Sequence, residues 1–220
     1  MPSASSRMSA SRPAACSEPR TVAMMVHTSK LSITWLATHI GTIDGFLDDQ
    51  ECADLIADSE RRGFEAAKVN SSGGATVLKE LRNNDRVVFD DEDLADLLFA
   101  RARPLLYRGL GDWRLTGLNE RFRFYRYGPG QKFDWHHDGY FERHALERSQ
   151  FTFMIYLSDG FEGGGTSFRG EMPGYAGSSL LVKPKKGMAL AFYHPIEHRG
   201  DEVLSGRKYV IRTDVMYKRQ

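Results

Sequence analysis

The chain has 220 residues, 41% hydrophobic, 27% charged and 11% aromatic, which excludes disordered and fibrous classes and fits one globular domain. Thirty Lys and Arg against 29 Asp and Glu leave a formal charge of +1, so no net field draws the molecule toward nucleic acid. Two cysteines, Cys16 and Cys52, are too few for a disulfide framework, and no apolar run approaches the ~18 residues that span a bilayer. A cytoplasmic, reducing setting with no membrane partner is the expectation.

Residues 1–30 carry Arg7, Arg12, Arg20 and Lys30 against the single acid Glu18, among many Ser, Ala and Pro and with no apolar period. They read as a flexible tail; a transit peptide for an organelle, or translation starting at Met24 or Met25, would give the same pattern. Residues 31–220 read as one domain. A first helix opens at Asp48 or Asp49, sets Cys52, Leu55, Ile56 and Ser59 on one face, and ends at Gly63. Residues 69–84 are polar and glycine-bearing and read as a mobile loop, with Arg82, Asn83, Asn84 and Arg86 belonging either to a substrate lid or to a plain solvated loop. A second helix starts at Asp91, turns Leu94, Leu97 and Leu98 inward, and stops before Pro104.

After Leu115 the chain reads as strands at 119–127, 151–157, 179–183, 188–193 and 208–217, punctuated by Gly128-Pro129-Gly130 and Gly163-Gly164-Gly165. Helices followed by many strands favour an antiparallel sandwich or jelly roll with the helices on one outer face.

The densest group of metal-capable side chains is Asp134-Trp135-His136-His137-Asp138. Alternation along an extended segment turns His136 and Asp138 to one side and His137 to the other. Asp134 shares the His136 face and is the weaker carboxylate candidate. A third ligand has to come from His144, His194 or His198. His198 follows the apolar run ending in Ala191-Phe192-Tyr193, so a neighbouring strand can return it to the first pair. Two histidines and one carboxylate on one face of a metal form the facial triad of non-haem Fe(II) oxygenases. Ten positions later, Lys208 opens a strand in which Lys208, Val210 and Arg212 share a face, and a cation buried there needs an anion.

Taken together, Tyr127-Gly128-Pro129-Gly130-Gln131, His136-x-Asp138, Tyr156-Leu157, Gly163-Gly164-Gly165-Thr166-x-Phe168, Pro184-x-x-Gly187-x-Ala189-x-x-Phe192, His198-x-Gly200 and Gly206-x-Lys208 resemble, in order and spacing, the catalytic domain of the prolyl 4-hydroxylase family. The resemblance runs over residues 43–217. It implies a mainly β protein with N-terminal helices and a double-stranded β-helix (jelly roll, cupin-like) core. It also implies Fe(II), 2-oxoglutarate and O2 as cofactor and cosubstrates, with ascorbate as reductant. His136, Asp138 and His198 then hold the iron. Lys208 pairs with the far carboxylate of 2-oxoglutarate and Tyr127 hydrogen-bonds it. Arg212 is the reserve candidate for that carboxylate, because a guanidinium suits bidentate pairing; a substrate carboxylate, Asp138 and Asp214 are its other potential partners. The implied reaction hydroxylates an unactivated C–H bond with release of succinate and CO2. Its substrate is a peptidyl proline, another protein or peptide site, or a small molecule such as a free amino acid. A metal-binding cupin-like protein and a non-catalytic interaction module on the same fold are the rival readings. The oligomeric state is open.

Overall fold

A computed structural model describes residues 30–66 and 82–220 and, between them, the backbone of two short strands, Val69–Ser71 and Gly74–Thr76. The tail expected over residues 1–30 lies outside the described residues apart from Lys30. So do residues 72–73 and 77–81 of the loop expected over 69–84; the backbone of Val69–Ser71 and Gly74–Thr76 pairs as a hairpin.

Helix α1 spans Asp49–Arg62 and begins in a capping box: the Asp48 carboxylate accepts from the Glu51 N–H, and the Glu51 carboxylate accepts from the Asp48 N–H. Gly63, at φ 82°, ends it. Cys52, Leu55 and Ser59 are buried, and burial pushes the Cys52 thiol up to about 12. Asp48→Ala removes one half of the box and should cost about 1 kcal/mol. A thermal melt should show this as a fall of roughly 2–4 °C. Helix α2 spans Glu92–Ala102, capped by Asp91. Its buried residues are Leu94, Ala95, Leu98 and Ala102; Leu97, expected to point inward, is exposed because it faces away from the sheet that α2 covers.

Most of the strands form two facing sheets, and two further pairs stand apart as two-stranded ribbons. The larger is antiparallel, in the order Thr34–Ala37, Ile40–Ile43, Ala189–Tyr193, Glu147–Tyr156, Lys208–Arg219, Arg121–Tyr127, Asp85–Asp90 and Glu65–Ala66. Glu65–Ala66 and three others of these were not evident in the sequence. The Thr34–Ala37 and Ile40–Ile43 hairpin turns through His39 at φ 69°, and Asp85–Asp90 is a strand with charged ends. The smaller sheet runs Phe133–His136, His198–Gly200, Thr166–Arg169, Ser179–Val182. Facing sheets of this order are the double-stranded β-helix expected from the sequence.

Period-two alternation divides the large sheet's side chains between two cores. Phe122, Phe124, Phe151, Phe153, Ile211 and Val215 pack under α1 and α2. Tyr125, Tyr127, Tyr156, Val210 and Phe192 turn the other way, toward Phe168 and Val182 of the small sheet. Gly187 joins the layers: at φ 76°, a Cβ there would lie 2.1 Å from the Leu47 carbonyl oxygen, so only glycine lets the sheet meet the entry to α1. Among the described residues no helix is long and apolar enough to cross a membrane.

Candidate metal centre

Register brings the two candidate histidines together. The Phe133–His136 strand pairs antiparallel with His198–Gly200, so that His136 lies directly opposite His198. The chain then leaves the strand, and the Asp138 N–H reaches the His194 carbonyl, which turns the Asp138 side chain back toward both rings. Ligand atoms of His136, Asp138 and His198 all fall within 4.8 Å of one another, and among the described residues they are the group able to hold a metal ion. His136 Nδ1 contacts the Asp134 carbonyl at 2.7 Å, and His198 Nδ1 contacts the Ile196 carbonyl at 3.0 Å. Each Nδ1 therefore carries the proton, and each Nε2 presents a lone pair to the centre.

The carboxylate is fixed in the same way. Asp138 Oδ2 accepts from the Thr152 hydroxyl at 2.5 Å and from Arg212 Nη2 at 3.0 Å. Burial alone would push the Asp138 carboxyl up; Arg212 foremost, with His198, His136 and Thr152, outweighs it and holds the group far below the usual carboxylate range. Burial, and then its neighbour His198, brings His136 down to about 4, and burial lowers His198 also. Two neutral imidazoles and one ionised carboxylate are the protonation states that bind a divalent cation.

The pocket containing these groups extends between the sheets to Lys208, past Tyr125, Tyr127, Phe133, Met154 and Val210. Lys208 is buried, and its Nζ donates to the Gly164 carbonyl at 2.6 Å. Its ammonium sits over the rings of Tyr127, its cross-strand partner, at 5.1 Å and of Tyr156 at 5.5 Å. No carboxylate among the described residues is in salt-bridge reach, and burial lowers the ammonium to about 8. Arg212, on the same face, is engaged elsewhere: its Nη2 meets Asp138, Thr152 and Asp214.

The sequence profile of the 2OG-Fe(II) oxygenase superfamily matches residues 122–213, a span that contains the three clustered residues, Lys208 and Arg212. Residues 122–213 carry a 2OG-Fe(II) oxygenase domain. Among curated relatives, prolyl 4-hydroxylase 2 of Arabidopsis thaliana is 24% identical over 198 residues, covering 76% of this chain and 63% of that protein. Probable prolyl 4-hydroxylase 6 of the same plant is 29% identical over 177 residues, covering 68% and 56%. The chain thus spans less than two thirds of the length of either relative. Two solved structures share the fold. A Pseudomonas putida prolyl-4-hydroxylase has a TM-score of 0.58 at 17% identity, covering 83% of this chain and 94% of that one. A Trichoplax adhaerens prolyl hydroxylase, solved with a hypoxia inducible factor peptide fragment, has a TM-score of 0.60 at 14% identity, covering 80% and 83%.

The donor set of the oxygenase domain fits the two groups that the superfamily's name implies. Two imidazole nitrogens and a carboxylate on one side of a point leave the other side of an iron open. A buried ammonium without an acid, at the inner end of the same pocket, suits the far carboxylate of 2-oxoglutarate. The remaining histidines are placed otherwise. His137 is exposed. His194 is buried, with Nε2 on the Ser149 hydroxyl and Nδ1 3.2 Å from Thr152 Oγ1. His144 lies beside Glu147 at the surface. Asp134 turns to Lys132 and to the Trp135 N–H, away from the cluster.

Sequence reasoning passed over Thr152 and Phe133. Thr152 is a hydroxyl between two phenylalanines, and a polar residue inside an apolar strand was the signal available. Phe133 stacks on the His136 ring at 3.6 Å between centroids and screens one side of it.

Proposed function

We propose that the protein is an Fe(II)- and 2-oxoglutarate-dependent dioxygenase that hydroxylates an unactivated C–H bond of a prolyl substrate and releases succinate and CO2. The observation that carries this reading is the His136, Asp138 and His198 cluster in one pocket with a buried Lys208 that has no acid in salt-bridge reach among the described residues. His136, Asp138 and His198 would hold the iron, Lys208 and Tyr127 the far end of 2-oxoglutarate. Bound iron and 2-oxoglutarate together supply the activation of O2 that oxidises a C–H bond, and ascorbate would serve as reductant.

The chain's own part is to hold geometry and exclude water. Thr152 and Arg212 tie down Asp138 Oδ2, which leaves Oδ1 for the metal. The Asp134 and Ile196 carbonyls keep both imidazoles in the tautomer that binds through Nε2. Phe133, Phe192 and Met154 give the pocket apolar walls, so that an oxidant formed there meets substrate before solvent. A prolyl substrate is favoured by the names of the relatives, and a peptide-borne one by the peptide bound to the Trichoplax adhaerens enzyme. A cytoplasmic location is part of the same reading.

Succinate formation from 2-oxoglutarate, measured without added substrate, tests the proposal. Slow release that needs Fe(II) and O2 is expected. A protein that binds iron but forms no succinate would instead be a cupin-like metal binder or a non-catalytic module.

A further inference from the structure

His194 is 4% exposed, does not line the pocket and is none of the three clustered residues, yet it holds Asp138 at two points. Its carbonyl accepts the Asp138 N–H at 3.3 Å. Its ring reaches the Asp138 side chain through one hydroxyl: Nδ1 lies 3.2 Å from Thr152 Oγ1, and Thr152 donates to Asp138 Oδ2 at 2.5 Å. On the other side, Nε2 lies 3.0 Å from the hydroxyl of the fully buried Ser149.

This chain of bonds runs in one direction. Burial brings the His194 ring down to about 4, so it is neutral and one nitrogen alone carries hydrogen. Ser149 Oγ accepts the Phe141 N–H at 2.8 Å, and its own buried proton needs an acceptor; His194 Nε2 is the one in reach among the described residues. The ring hydrogen is therefore on Nδ1, which donates to Thr152 Oγ1 and leaves the Thr152 proton for Asp138. With the hydrogen on Nε2 instead, Nδ1 would be an acceptor and would compete with Asp138 for that proton. Arg212 does not replace the histidine as donor to Thr152. Its Nη2 has two N–H bonds and three oxygens within 3.2 Å, of which the carboxylates of Asp138 and Asp214 are the stronger acceptors.

We propose that His194 is a positioning residue of the metal centre: by donating from Nδ1 it commits the Thr152 hydroxyl to Asp138 Oδ2 and keeps Asp138 a ligand through Oδ1 alone. A carboxylate left free can chelate an ion with both oxygens. Three single-atom ligands leave three positions on a six-coordinate iron, two for a chelating 2-oxo acid and one for O2, and an Asp138 that chelated would take the last of them. The inference rests on the dioxygenase reading and deepens it.

Nitric oxide, which binds Fe(II) where O2 would, is the probe. It is added without oxygen to the full chain loaded with Fe(II), first without and then with 2-oxoglutarate, and read by the electron paramagnetic resonance of the iron-nitrosyl centre. Wild type should bind it in both states. His194→Phe should weaken nitric oxide binding about tenfold or more when 2-oxoglutarate is present, the scale set by an outer partner of a metal ligand, and leave it nearly unchanged when 2-oxoglutarate is absent. A merely structural loss would lower both alike. His194→Asn, whose amide nitrogen falls where Nδ1 lies, should recover most of the loss. Thr152→Val should reproduce it, and His194→Phe placed on top of Thr152→Val should add nothing further, because the histidine acts through that hydroxyl. If His194→Phe does not fold, Ser149→Ala, which frees the ring to shift its hydrogen to Nε2, takes its place and should show the same selective loss. Equal nitric oxide binding by wild type and variant with 2-oxoglutarate present, a loss that is the same with and without it, or additive losses in the double variant would overturn the proposal. So would a His194→Asn no better than His194→Phe. A wild type that takes up no Fe(II) or no 2-oxoglutarate fails before nitric oxide is added, and then the dioxygenase reading falls and this inference with it.

Discussion

His136→Ala, Asp138→Ala and His198→Ala should each lose stoichiometric Fe(II) and reduce succinate formation to background, while His137→Ala keeps both. The three side chains share one point from a strand, the turn after it and the paired strand, and each is oriented by a bond of its own. Removing one leaves two ligands and a gap that water fills, which is insufficient to hold iron with its open positions directed into the pocket. Iron content by metal analysis, read beside a thermal melt, separates ligand loss from unfolding. Retention of iron by His136→Ala together with its loss from His137→Ala would mean that the assignment along this segment is wrong.

Lys208→Ala should raise the 2-oxoglutarate requirement roughly 30-fold or more and leave Fe(II) binding nearly intact, since loss of a buried charge partner costs about 2–5 kcal/mol. Arg207, exposed and on the opposite face, should matter far less when changed to Ala. The same lysine gives a pH signature. Burial sets its ammonium at about 8 in the free protein, and a dicarboxylate stabilises the charged form and so raises it in the complex. Affinity for 2-oxoglutarate should therefore be flat below about pH 8 and fall above it by up to tenfold per unit. Lys208→Arg, which stays charged, should flatten that fall. If the affinity of wild type were unchanged between pH 7 and 9.5, Lys208 would not be the partner of that carboxylate.

The local parts of this architecture were legible and the convergent parts only in order. The start of α1 at Asp48 or Asp49, the stop at Gly63, and the faces shared by Lys208, Val210 and Arg212 follow from spacing within one element, whereas the reciprocal bond from Glu51 showed only in the structure. Leu97 failed because helical periodicity marks it as strongly as Leu94 and Leu98, and only the position of the sheet decides which side of α2 is covered. The Asp85–Asp90 strand escaped because its charges, which serve the flank of the sheet through pairs such as Arg126 with Asp85, look like a loop in one dimension. The meeting of His136 with His198 depends on the register of two strands more than sixty residues apart. Nothing in the sequence alone says that Thr152 faces Asp138 or that Arg82 slides between Tyr125 and Phe133.

The twelve-residue strand Lys208–Arg219 carries Lys208 and Arg212 on one face, and its ladders to Arg121–Tyr127 and Glu147–Tyr156 run without irregularity through that stretch. The ammonium proposed to anchor one end of the cosubstrate and the guanidinium that holds Asp138 are therefore set apart by a rigid gauge hydrogen-bonded along both edges. No loop movement can lengthen or shorten it, and a one-residue slip would turn both cations out of the pocket. With Lys208 in its proposed role, selection for a five-carbon 2-oxo diacid over homologues one carbon shorter or longer would be set by backbone periodicity, and should persist through wide variation in the surrounding loops.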